Sequence, residues 1–105
     1  MIHITYDSLK PSIRATGHAG YAEQGKDIVC ASVSALFFTL GLALQDRGIA
    51  YDSRGREDMG DLYIKALPEA EQRYPATVMF ETIKVGLEHI ARKYPRHVEI
   101  KTKEG

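Results

Sequence analysis

The sequence predicts an α+β sandwich, a small mixed β-sheet carrying two helices in the order ββαββαβ. Three observations lead there. Short stretches at both ends and in the middle alternate apolar and polar residues with the period of a half-buried strand. Residues 28–45 form one long apolar run, and residues 75–94 repeat apolar residues on one face between two prolines. At 105 residues the chain is long enough for one modest core and too short for two, so residues 1–105 are read as a single domain.

Ile2, Ile4 and Tyr6 alternate with His3 and Thr5, which makes a first strand. Asp7-Ser8-Leu9-Lys10-Pro11 supplies turn chemistry, and Ile13 and Ala15 then alternate with Arg14 and Thr16. This hairpin delivers His18 just past its second strand. The helix from Ile28 to Gln45 takes Asp27 as its N-cap and Gly48 as its stop. Because this central helix is apolar nearly all round, burial on most sides is expected. Ile49-Ala50-Tyr51-Asp52 reads as a short strand and the polar stretch from Ser53 to Gly60 as a turn or mobile loop. Leu62, Ile64 and Ala66 make the next strand, closed by Pro68. Pro75 opens the second helix and Pro95 ends it, with Phe80, Ile83, Leu87, Ile90 and Tyr94 on its buried face. Lys84, Glu88 and Arg92 mark the opposite, polar face. Val98 and Ile100 form a last strand before a charged, frayed tail.

Fourteen basic and fourteen acidic residues cancel, which removes any general attraction to nucleic acid or an anionic membrane and favours self-association. One cysteine allows no internal disulfide, so a reducing cytoplasm is the expected compartment. The N-terminus alternates like a strand and lacks a basic region followed by an apolar run, so no signal peptide is expected. Ile28 to Leu44 is the only membrane candidate. It falls short of the roughly 20 residues needed to span, and Ser32, Ser34, Thr39 and Gly41 interrupt it, so it reads as a core helix.

The chemistry concentrates in residues 17–30. Gly17-His18-Ala19-Gly20-Tyr21-Ala22-Glu23-Gln24-Gly25-Lys26-Asp27 is a glycine-rich loop with one histidine, and it leads into a helix whose first turn holds Cys30, the sole thiol. A helix N-terminus favours the thiolate, whereas the neighbouring Asp27 charge opposes it. If the loop folds back so that His18 reaches Cys30, the pair is a nucleophile with its general base. Backbone N–H groups at the helix opening, where not already capped, are then available to an oxyanion. Asp27 either caps the helix or orients His18, the cap being the preferred role. Ser34, one turn beyond Cys30, either bonds near the thiol or back to the Cys30 carbonyl. Taken singly, a cysteine in so apolar a helix is ordinarily a packing residue and a histidine among glycines a solvated one. Their conjunction is what points to catalysis.

Two other chemistries are excluded. Gly20 to Lys26 fits the G-x-x-x-x-G-K part of a phosphate-binding loop, but Asp27 stands where Ser or Thr would reach magnesium, and its charge would repel phosphates. A zinc site would need four ligands, and His3, His89 and His97 show no ligand spacing with His18 and Cys30. His89 and His97 read as surface residues. No metal is expected.

The segments Gly17-His18-Ala19-Gly20-Tyr21-Ala22, Gly25, Asp27-Ile28-Val29-Cys30-Ala31 and Val33-Ser34-Ala35-Leu36 resemble the signature of the ribosomal-processing cysteine protease family Prp. The likeness extends along the chain through Gly60-Asp61-Leu62-Tyr63 to Lys93-Tyr94-Pro95. It implies a homodimeric endopeptidase without cofactor that removes the N-terminal extension of large-subunit ribosomal protein twenty-seven during ribosome assembly. Carried over position by position, it implies a catalytic dyad of His18 and Cys30, with Asp27 and Ser34 at further signature positions. The loop from Gly20 to Lys26 corresponds to one that moves to admit substrate, and Gly17, Gly20, Tyr21 and Gly25 are the substrate-loop positions. Ser32 replaces a more usual alanine, and Phe37-Phe38-Thr39-Leu40-Gly41 is more aromatic than the family pattern, which leaves the cleavage sequence open. Similar enzymes also act in phage settings, on coat or scaffold proteins. Outside the resemblance, a catalytically silent ribosome-associated peptide-binding module and a thiol redox sensor are the competing readings.

Overall fold

The computed structural model describes residues 1–56 and 60–103. Its elements are β1 (Ile2–Asp7), β2 (Ser12–Thr16), α1 (Ile28–Asp46), β3 (Tyr51–Arg56), β4 (Asp61–Ala66), α2 (Arg73–Lys93) and β5 (Val98–Lys103), with a 3₁₀ turn at Ala70–Gln72 leading into α2. One sheet runs β3-β4-β2-β1-β5. Among the described residues β1 and β5 pair in parallel and the other three pairings are antiparallel. The α+β class and the order ββαββαβ are as the sequence predicts.

The period-2 pattern does the sorting. Ile2, Ile4 and Tyr6 of β1 face the same side as Ile13 and Ala15 of β2, Ile64 and Ala66 of β4, and Val98 of β5, and all are buried. Both helices cover that side. α1 contributes Val29, Val33, Phe37, Leu40 and Leu44 to the core, and α2 contributes Ala76, Phe80, Ile83 and Leu87. The helices approach closely at Gly86, where an added Cβ would meet Leu36 Cδ1 at 3.0 Å. His3, Thr5 and Arg14 stand on the open face.

Three expectations are corrected. The first concerns α1, which is buried on its inner face only; Ile28, Phe38 and Leu42 are 55%, 49% and 65% exposed on its outer side. Uniform apolarity says nothing about which side finds a neighbour, and one sheet covers one side. The second concerns the predicted loop from Ser53. Ser53–Arg56 belongs to β3, paired with β4 in the register Tyr51↔Ala66 to Arg56↔Asp61. As an edge strand it buries little, so its sequence is polar and hides its period. Of the rest of that predicted loop, residues 57–59 lie outside the described residues and Gly60 is a turn. The third concerns the tail, which continues as strand to Lys103 because β5 pairs with β1 along its whole length, ending at Asp7↔Lys103. Smaller shifts are that α2 begins two residues before Pro75, a position where a missing N–H costs nothing, and that Lys84 is half-buried, its ammonium 5.6 Å from the centre of the Tyr6 ring.

Candidate active site

Strand β2 ends at Thr16, and the chain turns sharply at Gly17. There φ is +92°, and a Cβ would stand 2.3 Å from the Met1 carbonyl oxygen, so only glycine fits. Gly17 N–H donates to Gly60 O at 2.7 Å, which ties the end of β2 to the start of β4. His18 follows, exposed, with the α-carbon of Gly60 packed against its ring: a Cβ on Gly60 would lie 2.8 Å from His18 Nε2. Gly60, too, has a positive φ of +65°.

Asp27 organises the loop that comes next. Its Oδ1 accepts the N–H groups of Val29 and Cys30, both at 3.0 Å, which is the predicted N-cap. Its Oδ2 accepts Tyr21 N–H at 3.0 Å and Ala22 N–H at 3.2 Å. Both oxygens are therefore committed to the backbone, so the alternative role of orienting His18 is not the one found. Burial pushes the Asp27 carboxyl up, but the four backbone N–H groups (Cys30, Ala22, Tyr21 and Val29) prevail and hold it below the usual carboxylate range. The same contacts weigh against the phosphate-loop resemblance, because a carboxylate already takes the N–H groups of Tyr21, Ala22, Val29 and Cys30 and its charge would repel a phosphate.

Cys30 is half-buried in the first turn of α1, and its Sγ accepts the N–H of Ala19 at 3.3 Å. The residue after His18 thus touches the thiol, so the loop does fold back over the helix start. His18, Asp27, Cys30 and Ser34 line one cleft of about 620 Å³, with the apolar residues Ile2, Ala15 and Leu62 and with Gly60 and Asp61 also in its lining. Ser34 is buried, at 6% exposure. Gly17, Gly20 and Gly25 also line the cleft, whereas Tyr21 turns away and sets its ring edge-on to Tyr94 and His97, each at 5.4 Å between centroids. At the helix opening the N–H groups of Val29, Cys30 and Ala31 are all engaged by Asp27, the last through its carbonyl at 3.0 Å. The Ala19 N–H is a donor aimed at the sulfur.

Three participants were not singled out from sequence. Gly60 shapes the His18 position and Ala19 meets the thiol through its backbone, which carries no side-chain signal. His97, read as a surface residue, is half-buried, and its Nδ1 lies 2.8 Å from Ala19 O. Among the described residues no three His, Cys, Asp or Glu side chains group as a metal site.

A half-buried thiol at a helix N-terminus, with an imidazole in the same open cleft, suits attack on an extended peptide. The profile of the family described as cysteine protease Prp matches residues 1–99. The chain belongs to the Prp family. The ribosomal processing cysteine protease Prp of Bacillus subtilis is 35% identical over 95 residues, which is 87% of this chain and 84% of that protein. The namesake from Mycoplasma genitalium is 34% identical over 89 residues, 82% of each chain. In three dimensions the chain resembles an essential ribosomal processing protease Prp from S. aureus, solved with a covalently linked product peptide. The TM-score is 0.85 at 25% identity, covering 98% of this chain and 100% of the other. This Prp member is a cysteine protease, and the reading as a catalytically silent binding module falls away.

Proposed function

We propose that this Prp protein is a cytoplasmic, homodimeric endopeptidase that removes the N-terminal extension of large-subunit ribosomal protein twenty-seven, with Cys30 as nucleophile and His18 as general base. The observation that carries the reading is the Ala19 N–H contact to Cys30 Sγ, because it brings the His18-bearing loop onto the thiol within one cleft. The ribosomal processing named for the relatives supports the substrate class.

The chemistry runs as two displacements. His18 takes the thiol proton, and Cys30 Sγ adds to the scissile carbonyl carbon. The C–N bond then breaks as His18 returns the proton to the leaving amine, so that a thioester remains. Water, deprotonated by His18, adds to the thioester; the C–S bond breaks and the thiol is regenerated. No cofactor is needed for either half. The cleft's apolar lining residues Ile2, Ala15 and Leu62 suit apolar side chains of an extended segment. A homodimer would cover apolar surface left on the outer side of α1 at Ile28, Phe38 and Leu42, and the zero net charge sets no barrier to it.

Mass spectrometry of the host's ribosomal protein precursor, incubated with parent, Cys30→Ala and His18→Ala proteins, tests the reading. One cut that removes the extension, seen with the parent alone, is expected. Cleavage at the parent rate by either variant would overturn the dyad; an uncut precursor with folded, thiol-intact parent would overturn the substrate and turn attention to phage coat or scaffold proteins.

A further inference from the structure

Ala19 is held from both sides. Its N–H donates to Cys30 Sγ at 3.3 Å, and its carbonyl oxygen lies 2.8 Å from His97 Nδ1. The residue is 2% exposed, so it has little room to shift. His97 in turn sits on fixed backbone. Its carbonyl accepts Ile2 N–H at 2.9 Å, where β1 and β5 begin their parallel pairing, and its N–H donates to Tyr94 O at 2.9 Å. The Tyr21 ring stands edge-on to the imidazole at 5.4 Å.

We propose that His97 is a positioning residue for the nucleophile: its Nδ1–H holds the Ala19 carbonyl, and this fixes the Ala19 N–H on Cys30 Sγ and the direction in which His18 leaves the loop. A carbonyl oxygen only accepts, so Nδ1 carries the proton in this contact. An N–H donated to sulfur favours the thiolate over the thiol, so a loosened Ala19 raises the thiol's pKa and misdirects His18. The other titratable groups lining the cleft are His18, Lys26, Asp27 and Asp61, and the ring set against His97 is that of Tyr21, which in turn meets Tyr94. Substituting His97 leaves the cleft-lining groups in the sequence unchanged but removes the ring that Tyr21 meets, and the His97→Asn variant separates the hydrogen bond from that packing.

This inference rests on Cys30 being the nucleophile, and the test separates the two. The pH dependence of Cys30 alkylation by iodoacetamide is measured for parent, His97→Ala and His97→Asn, beside cleavage of the precursor and thermal melts. The Asn side-chain N–H occupies nearly the place of Nδ1–H. In His97→Ala the alkylation midpoint should rise by about one pH unit and cleavage at pH 7 fall about tenfold, while His97→Asn restores most of both. An unshifted profile in folded His97→Ala, or no rescue by Asn, would overturn the positioning role and leave the dyad standing. Cleavage by Cys30→Ala would instead overturn the nucleophile. Should His97→Ala not fold, ¹H–¹⁵N correlation of the parent imidazole decides: neutral His97 is expected as the Nδ1–H tautomer, and the Nε2–H tautomer would overturn the proposal.

Discussion

Gly60 and His18 are packed so closely that the α-carbon of one forms a wall for the ring of the other. A Cβ at position 60 would come within 2.8 Å of His18 Nε2 and 2.9 Å of Gly17 O. This glycine sets where the imidazole can stand, which matters for catalysis if His18 is the general base proposed above.

Replacing Gly60 by alanine should therefore impair catalysis more than stability. The positive φ of +65° costs about 1 kcal/mol for a residue with a Cβ, and the contact with the Gly17 backbone oxygen adds to it, so the melting temperature should fall while the chain still folds. Displacing His18 by about 1 Å should lower the cleavage rate on the order of 100-fold. Steady-state cleavage beside a thermal melt checks it; a near-parent rate in Gly60→Ala would show that His18 has freedom to reposition.

Asp27 makes a different prediction, because its four backbone contacts join the active-site loop to α1. Asp27→Ala removes the cap and strands two loop N–H groups, a loss of about 2 kcal/mol at neutral pH. The folded-state pKa lies below the ordinary 3.8, so in that acid window the unfolded chain binds the proton first. Asp27's contribution is full above that ordinary value and is lost as pH falls through the lowered one. Urea melts of parent and Asp27→Ala at neutral pH, pH 4 and below should show a constant gap that closes only in acid. A gap independent of pH would mean that the charge is not what holds the loop.

Much of this was legible in residues 1–56. Ile2, Ile4 and Tyr6 announce their face because β1 is central and half-buried, and Asp27 announces a cap because a carboxylate before an apolar helix has few other uses. What stayed hidden has physical causes. Ser53 to Arg56 pair through backbone on an edge, where side chains are under no demand to alternate. Ala19 acts through its N–H and C=O, which every residue possesses. His97 lies 78 positions from its partner, a separation no local pattern reports. The outer side of α1 misled in the other direction, since an apolar helix looks the same whether it is enclosed or waiting for a neighbour.

That outer side yields a third prediction. Leu42 is 65% exposed on α1, one turn beyond Phe38 at 49%. If a second copy covers this stripe, Leu42→Glu places a charge in an apolar interface and should shift sedimentation from dimer to monomer at micromolar concentration. The circular dichroism spectrum should not change, because Leu42 takes no part in the core. A dimer that survives Leu42→Glu would place the interface elsewhere.

Tyr6 carries the last prediction, from the opposite end of the core. Its ring is fully buried and stacked with Phe80 at 6.3 Å, yet its hydroxyl has no hydrogen-bond partner among the described residues. A buried hydroxyl without a partner costs free energy that a phenyl ring avoids, so Tyr6→Phe should leave stability at neutral pH unchanged or raise it by about 1 kcal/mol. Burial first, then the charges of Glu81 and Asp7, push the phenol from 10.0 up to about 12. Between those values the unfolded chain has lost the Tyr6 proton and the folded one keeps it, so stability falls as pH rises. Tyr6→Phe abolishes that component: parent and variant should match in the slope of urea midpoint against pH up to about pH 9, and the parent should then fall away more steeply. Equal slopes across the alkaline range would mean that the phenol reaches solvent, and a clear loss of stability at neutral pH would mean that its hydroxyl has a partner after all.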